Sequence, residues 1–230
     1  MIFVIGVGRS GTTLIQTILD SHSLVGFVPE LQFIKHYMTN EKYKRSLESK
    51  GHAYISKLLL EDEYVSKLQL RENELKDLCE QNTKLEKLFE ALCSKYNYSR
   101  NKLINGEKDA RNIDYLPMIK KYFPSSKVIW VYRDPRDVVL SKMKAAWSSK
   151  RPVWFHALVG NFQLENGLNN SRDSNVFLLK YENVLSDFRG NIQAMCKFID
   201  VDYEDKMEHF QNSAKNLILN RRELQYKSNN

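Results

Sequence analysis

Apolar residues open the chain as the run Ile2-Phe3-Val4-Ile5, which stops at Gly6 and gives way to a polar, glycine-rich stretch. Leu14, Ile15, Ile18 and Leu19 then resume at helical spacing. A short apolar run closed by glycine and followed by a three-and-four-residue period predicts strand, loop and helix. The same pattern returns late in the chain. Lys127-Val128-Ile129-Trp130-Val131-Tyr132 is rich in β-branched and aromatic residues, and Val138, Val139 and Leu140 open a second helical stretch. Asp134 and Pro135 mark the start of that helix, because aspartate caps free amides and proline fits the first turn. Asp137 adds negative charge near the positive end of the helix dipole. Further strands are expected at Leu24 to Val28, Lys102 to Asn105 and Asn175 to Lys180.

From about Tyr37 to Arg100 the pattern changes. Lys, Glu and Leu dominate, glycine is absent after Gly51 and proline is absent throughout. Leu75, Leu78, Leu85, Leu88 and Leu92 recur at three, four and seven residues, the signature of an amphipathic helical face. This segment reads as a helical insertion that packs over the sheet or caps the acceptor side of a site. Strands alternating with helices imply an α/β fold with a central, mostly parallel sheet covered on both faces. A length of 230 residues fits one domain, residues 1–230, carrying that insertion at about 37–100.

Charge and cysteine content narrow the class without deciding it. A net charge of +7 is spread along the chain, which suits an anionic ligand in general. No helix-turn-helix, zinc finger or aromatic ribonucleoprotein pattern accompanies it, so nucleic acid is not expected as a partner. Cys79, Cys93 and Cys196 are odd in number and far apart, which fits reduced thiols in a cytoplasmic protein and neither a disulfide framework nor a metal site. The opening apolar run is shorter than a secretory signal, and no segment reaches the roughly 18 apolar residues of a membrane span.

The stretch Gly6-Val7-Gly8-Arg9-Ser10-Gly11-Thr12-Thr13 is where chemistry is expected. A glycine-rich turn from strand to helix exposes backbone amides beside the positive end of a helix dipole, which makes an anion site. Three readings compete. Gly6, Gly8 and Gly11 match the dinucleotide fingerprint G-x-G-x-x-G, with Glu30 near the place of a ribose-binding acid. Gly6 and Gly11 also match the triphosphate loop G-x-x-x-x-G-K-[ST], but Thr12 stands where its lysine should reach the β- and γ-phosphates. Arg9 instead puts a cation inside the loop, with hydroxyls from Ser10, Thr12 and Thr13, a set suited to a phosphosulfate.

Arg9-Ser10-Gly11-Thr12-Thr13-Leu14 resembles the 5′-phosphosulfate loop of sulfotransferases that use 3′-phosphoadenosine 5′-phosphosulfate (PAPS), and the pattern is closest to bacterial members related to the tyrosylprotein sulfotransferases. A second segment, Val128 to Ser141, resembles that family's strand leading into R-D-x-R-x-x-x-x-S. The resemblance implies that Arg133 and Ser141 hold the 3′-phosphate, and that Tyr181, in Lys180-Tyr181-Glu182-Asn183, contributes to nucleotide binding. It implies Glu30 as the base that deprotonates a hydroxyl acceptor, ahead of the histidine candidates His22 and His36. Gly106-Glu107-Lys108-Asp109 resembles the family's G-[DE]-K-[TD] turn, which makes Lys108 the cation that stabilises the departing charge.

The fold so implied is a P-loop-like three-layer sandwich, with PAPS as co-substrate, no metal, and an acceptor that is a small molecule, carbohydrate, lipid or peptide. Additional phosphate contacts are expected from Ser213, Lys215 or Arg221-Arg222. The tyrosylprotein enzymes carry an arginine where this chain has Ala145, a departure from the close assignment. A nucleotide kinase and a non-catalytic nucleotide-binding module stand as alternatives.

Overall fold

The structure, a computed structural model, describes residues 1–49, 51–145, 151–170 and 173–211. The chain begins with strand β1 (Ile2–Gly6) and helix α1 (Thr12–Asp20), then the short β2 (Val25–Phe27). A π-helical turn at Ile34–Met38 leads into α2 (Glu41–Glu48), α3 (His52–Glu61), a 3₁₀ turn at Val65–Leu68, α4 (Glu72–Gln81) and α5 (Leu85–Tyr98). The chain returns to the sheet as β3 (Ile104–Lys108), passes a 3₁₀ turn at Ala110–Tyr115 and α6 (Leu116–Tyr122), and enters β4 (Lys127–Tyr132) and α7 (Pro135–Lys144). It finishes with α8 (Val153–Asn170), β5 (Val176–Lys180), α9 (Tyr181–Ser186), α10 (Phe188–Phe198) and a 3₁₀ turn at Asp205–His209. Among the described residues no helix is long and apolar enough to cross a membrane.

Five strands pair in the order β2-β3-β1-β4-β5, and every pairing is parallel. The dinucleotide fold, with its order 3-2-1-4-5-6, puts the second strand beside the first. In this chain β3 lies between them, so the glycine fingerprint is set in a different sheet.

Side chains alternate across a strand, and β1 and β4 divide the core accordingly. Phe3, Ile5, Val128 and Trp130 face one way, into a cluster with Phe33, Leu85, Phe89 and Leu92 from the insertion. Ile2, Val4, Ile129 and Val131 face the other, against Ile15, Ile18 and Leu19 of α1 and Ile192 and Met195 of α10. Both faces of the parallel sheet are thereby covered, as the near-continuous apolar strands require. The leucine stripe of the insertion points inward: Leu75, Leu85, Leu88 and Leu92 are buried, and Leu78 packs against the same cluster.

The insertion is tied to the sheet by polar contacts as well as by packing. Asn97 Nδ2 donates to the Gly26 carbonyl oxygen at 2.8 Å. Arg100 pairs with the buried Asp20 at 2.5 Å, and Asp20 Oδ1 accepts from the Phe27 amide at 2.7 Å. These bonds fix β2, and with it the chain that runs on to Glu30.

The third strand corrects the expectation from the sequence. It runs over Ile104–Lys108, not Lys102 to Asn105, so Gly106, Glu107 and Lys108 are strand residues and not a turn. Register explains the shift: Gly106 pairs with Ile2 and Lys108 with Val4, while Leu103 lies outside the ladder and is exposed.

Candidate active site

In open α/β sheets ligands bind beyond the carboxyl ends of the strands, and the sequence-predicted residues gather there. A cleft of about 600 Å³ is lined by Gly8, Arg9, Gly11, Thr12, Thr13 and Leu14 after β1, by Glu30 after β2, by Lys108 to Arg111 at the end of β3, by Arg133 and Ser141 after β4, and by Tyr181 after β5. Four basic side chains against two acidic ones give this cleft a cationic character, and the first-turn amides of α1, which lack acceptors within their own helix, add to it.

The loop takes its shape from two glycines. Gly6 approaches the Val131 carbonyl oxygen so closely that any β-carbon would collide with it. Gly11, at φ 101°, is in the left-handed region and caps α1 with the Tyr181 ring pressed on its bare α-carbon. Arg9 also adopts positive φ, 76°, which swings its side chain toward α7, where Nε donates to Ser141 Oγ at 2.9 Å. A loop and a helix 132 positions apart thus touch through the residues expected to hold the two ends of one nucleotide. Ser10 is the exception to the sequence-predicted set. Its amide closes the turn onto the Val7 carbonyl oxygen at 3.0 Å, and its fully buried side chain faces the loop interior instead of the cleft.

The second anchor follows from local rules. Asp134 caps α7 by accepting from the Arg136 amide, with Pro135 in the first turn, so Arg133 leaves β4 just before the helix. Its guanidinium lies 4.7 Å from the Tyr181 ring centroid and 3.6 Å from Asp137. Among the described residues Arg133 Nε is buried without a hydrogen-bond partner. An orphaned guanidinium N–H against an aromatic face, in a cleft that Ser141 also lines, fits a phosphate group.

Across the cleft Lys108 Nζ donates to Glu30 Oε2 at 2.8 Å, and Arg111 lies 3.9 Å from the other carboxylate oxygen. Burial alone would push the Glu30 carboxyl up, but the charge and hydrogen bond of Lys108, with Arg111 and Lys67 beyond it, hold it below the ordinary carboxylate range. Two neighbours behave oppositely. Glu107 is fully enclosed, and burial, then the nearby charges of Asp109 and Glu30, push it well above its usual value. Asp109 is raised by burial and then by the charge of Glu30, while capping the following 3₁₀ turn. Glu30 and Asp109, which both line the cleft, are thus driven in opposite directions, a pattern that recurs at functional sites.

A profile of the sulfotransferase family matches residues 2–205. The chain belongs to that family. Relatives are distant. An uncharacterized protein of Aquifex aeolicus is 24% identical over 221 residues, which cover 90% of this chain but 26% of that one, so the chain spans about a quarter of that relative. A Caenorhabditis briggsae protein provisionally named as a protein-tyrosine sulfotransferase is 24% identical over 215 residues, covering 91% of this chain and 68% of the other. The fold is shared with the sulfotransferase domain of the Synechococcus PCC 7002 olefin synthase, at TM-score 0.65 and 18% identity over 90% of this chain and 75% of that one.

Within this sulfotransferase fold neither histidine candidate reaches the cleft. His22 is buried with Nε2 2.9 Å from the Asp202 carbonyl oxygen, and His36 borders a separate hollow with Asp62. Ser213, Lys215 and Arg221-Arg222 lie outside the described residues. Ala145 caps the C-terminal end of α7, is buried, and does not line the cleft. Arg111 was not singled out by any motif. It is carried to Glu30 by the 3₁₀ turn that Asp109 initiates, a placement only the folded chain displays.

Proposed function

We propose that this sulfotransferase moves the sulfuryl group of PAPS to a hydroxyl acceptor, with Glu30 as general base and Lys108 as the cation at the breaking bond. The observation that carries the reading is the convergence, in one cleft, of an amide-rich loop with Arg9, a second anion anchor at Arg133 and Ser141, and the Glu30–Lys108 pair. The loop and α1 would hold the 5′-phosphosulfate, and Arg133 with Ser141 the 3′-phosphate. Tyr181 would support the nucleotide between them, and Gly11, Thr12 and Thr13 would supply amides and hydroxyls.

In the reaction the acceptor oxygen forms a bond to sulfur as the bond from sulfur to the phosphate oxygen breaks. Glu30 takes the acceptor proton, and the electron pair of the broken bond leaves on 3′-phosphoadenosine 5′-phosphate. Charge grows on the leaving oxygen in the transition state, so a positioned ammonium group accelerates the step. Lys108 is 7% exposed at the side chain, which keeps that charge strong. The reading requires no metal ion. The chain is read as one sulfotransferase domain with the helical insertion at about 37–100, and its three buried free thiols suit the reducing cytoplasm.

Transfer of labelled sulfate from PAPS to a panel of hydroxyl compounds tests the reading. Glu30→Gln should lose about 10²-fold or more in turnover while keeping affinity for 3′-phosphoadenosine 5′-phosphate. Unchanged turnover removes Glu30 from the mechanism.

A further inference from the structure

We infer that Glu182 is a positioning residue for the 3′-phosphate anchor: it fixes the turn that carries Arg133 and so sets the protein's preference for a nucleotide bearing a 3′-phosphate. The inference rests on the reading of Arg133 given above, and it adds a residue outside the cleft lining.

Three contacts carry it. Glu182 Oε1 accepts from the Asp134 amide at 2.8 Å, across the gap between the ends of β5 and β4. Asp134 is the residue after Arg133 and the cap of α7, so its amide lies in the peptide joining the two. Holding that peptide fixes where the Arg133 side chain starts. The residue before Glu182 acts on the other end of the same side chain, because the Tyr181 ring lies under the Arg133 guanidinium at 4.7 Å. That ring also rests on Gly11, so the spacing from the loop to Arg133 is set through it.

The sequence shows how the two residues come to act together. β4 and β5 are in register as Tyr132 with Lys180, so the chains leave the sheet side by side. Helix α9 begins at once, at Tyr181, and turns Glu182 back over the end of β4. An acidic residue in a first helical turn is favoured by the dipole, so the position suits glutamate locally as well. The Arg133 turn gains from such a hold because its own contacts are few: the ion pair to Asp137 is long, at 3.6 Å, with Asp137 half exposed, and Nε is buried without a partner among the described residues. A guanidinium matches phosphate oxygens only in a defined orientation.

Binding of 3′-phosphoadenosine 5′-phosphate and of adenosine 5′-phosphate, measured by calorimetry on the full chain, tests this. Wild type should prefer the former. Glu182→Ala should lose about tenfold in affinity for 3′-phosphoadenosine 5′-phosphate and less than about twofold for adenosine 5′-phosphate. Glu182→Gln, which keeps an acceptor oxygen for the Asp134 amide, should retain the wild-type ratio. Glu182→Asp withdraws the oxygen by one methylene and should fall between them, and it serves if the alanine variant fails to fold. A wild type that binds both nucleotides alike removes the 3′-phosphate reading and the inference with it. A wild-type preference that survives in Glu182→Ala, or in Glu182→Asp where only that variant folds, removes the inference alone. So do equal losses for both nucleotides, or a glutamine variant as impaired as the alanine one.

Discussion

Lys108 Nζ and Glu30 Oε2 are 2.8 Å apart, joining the end of β3 to the segment after β2 in an ion pair that is largely shielded from solvent. In the proposed reaction each has a different duty, one toward sulfur and the other toward the acceptor proton. Paired, they hold each other in place, and the pairing makes Glu30 a weak base because its carboxyl is kept below the ordinary range. In that reaction a sulfuryl group arriving beside Lys108 would compete for the ammonium and strengthen Glu30 as a base. The Lys108→Met variant mimics that release in the free protein. With the cation gone, the burial contribution acts with less opposition and the Glu30 pKa rises. The acid limb of the kcat/KM profile should therefore move to higher pH, while turnover falls about 10²- to 10³-fold for want of charge at the leaving oxygen. An acid limb that stays in place would show that the pair does not control Glu30.

Gly11 combines a left-handed backbone with an aromatic ring on its α-carbon, so substitution meets two obstacles. Gly11→Ala should destabilise the chain by about 1–3 kcal/mol from backbone strain. It should also displace Tyr181, and with it Arg133. Thermal unfolding would report the first effect, and weakened binding of 3′-phosphoadenosine 5′-phosphate the second. Tyr181→Phe keeps the ring under the guanidinium and should bind nearly as wild type, whereas Tyr181→Ala should not.

Much of this site is legible in the sequence because its parts are local. The run Lys127–Tyr132, the cap at Asp134 and the Gly6–Gly11 loop each declare themselves within a few residues, and each occupies the expected place. The third strand does not. Glycine and two charged residues in Gly106-Glu107-Lys108 oppose strand formation by propensity, and only pairing with β1 and burial in the sheet overrule it. Strand order is illegible for a related reason, since placing β3 between β1 and β2 depends on contacts across the insertion, such as Asn97 on Gly26. Arg111 and Glu182 escape the sequence too, because their roles depend on the directions in which short turns send them.

Asp20 connects stability to the site. Its carboxylate is nearly inaccessible and serves both the Phe27 amide and Arg100, which itself donates to the Phe27 carbonyl oxygen at 3.0 Å. Asp20→Ala leaves the Phe27 amide without its acceptor and Arg100 without its counter-charge, at a cost on the order of 3 kcal/mol. Because β2 leads directly to Glu30, turnover should drop more than nucleotide affinity. Denaturant unfolding together with steady-state kinetics separates the two effects.

Glu107 gives a stability prediction whose size depends on pH. It is enclosed beside β1, and its Oε2 accepts from Asn112 Nδ2 at 2.6 Å. Burial favours the neutral acid, so the folded pKa lies well above the unfolded one. Below the unfolded value, about 4.3, both states are protonated and the folded form keeps its full advantage. As pH rises past that point the unfolded chain gives up its proton while the folded chain must retain it, and stability is lost until the folded pKa is reached. Glutamine has the same shape, offers Asn112 the same acceptor oxygen and never ionises. Glu107→Gln should thus match the wild type near pH 4 and exceed it increasingly toward pH 8, by about 2–4 °C in Tm for each kcal/mol relieved. A constant difference across that range would mean that Glu107 is ionised in the fold, with Lys108 shared between it and Glu30.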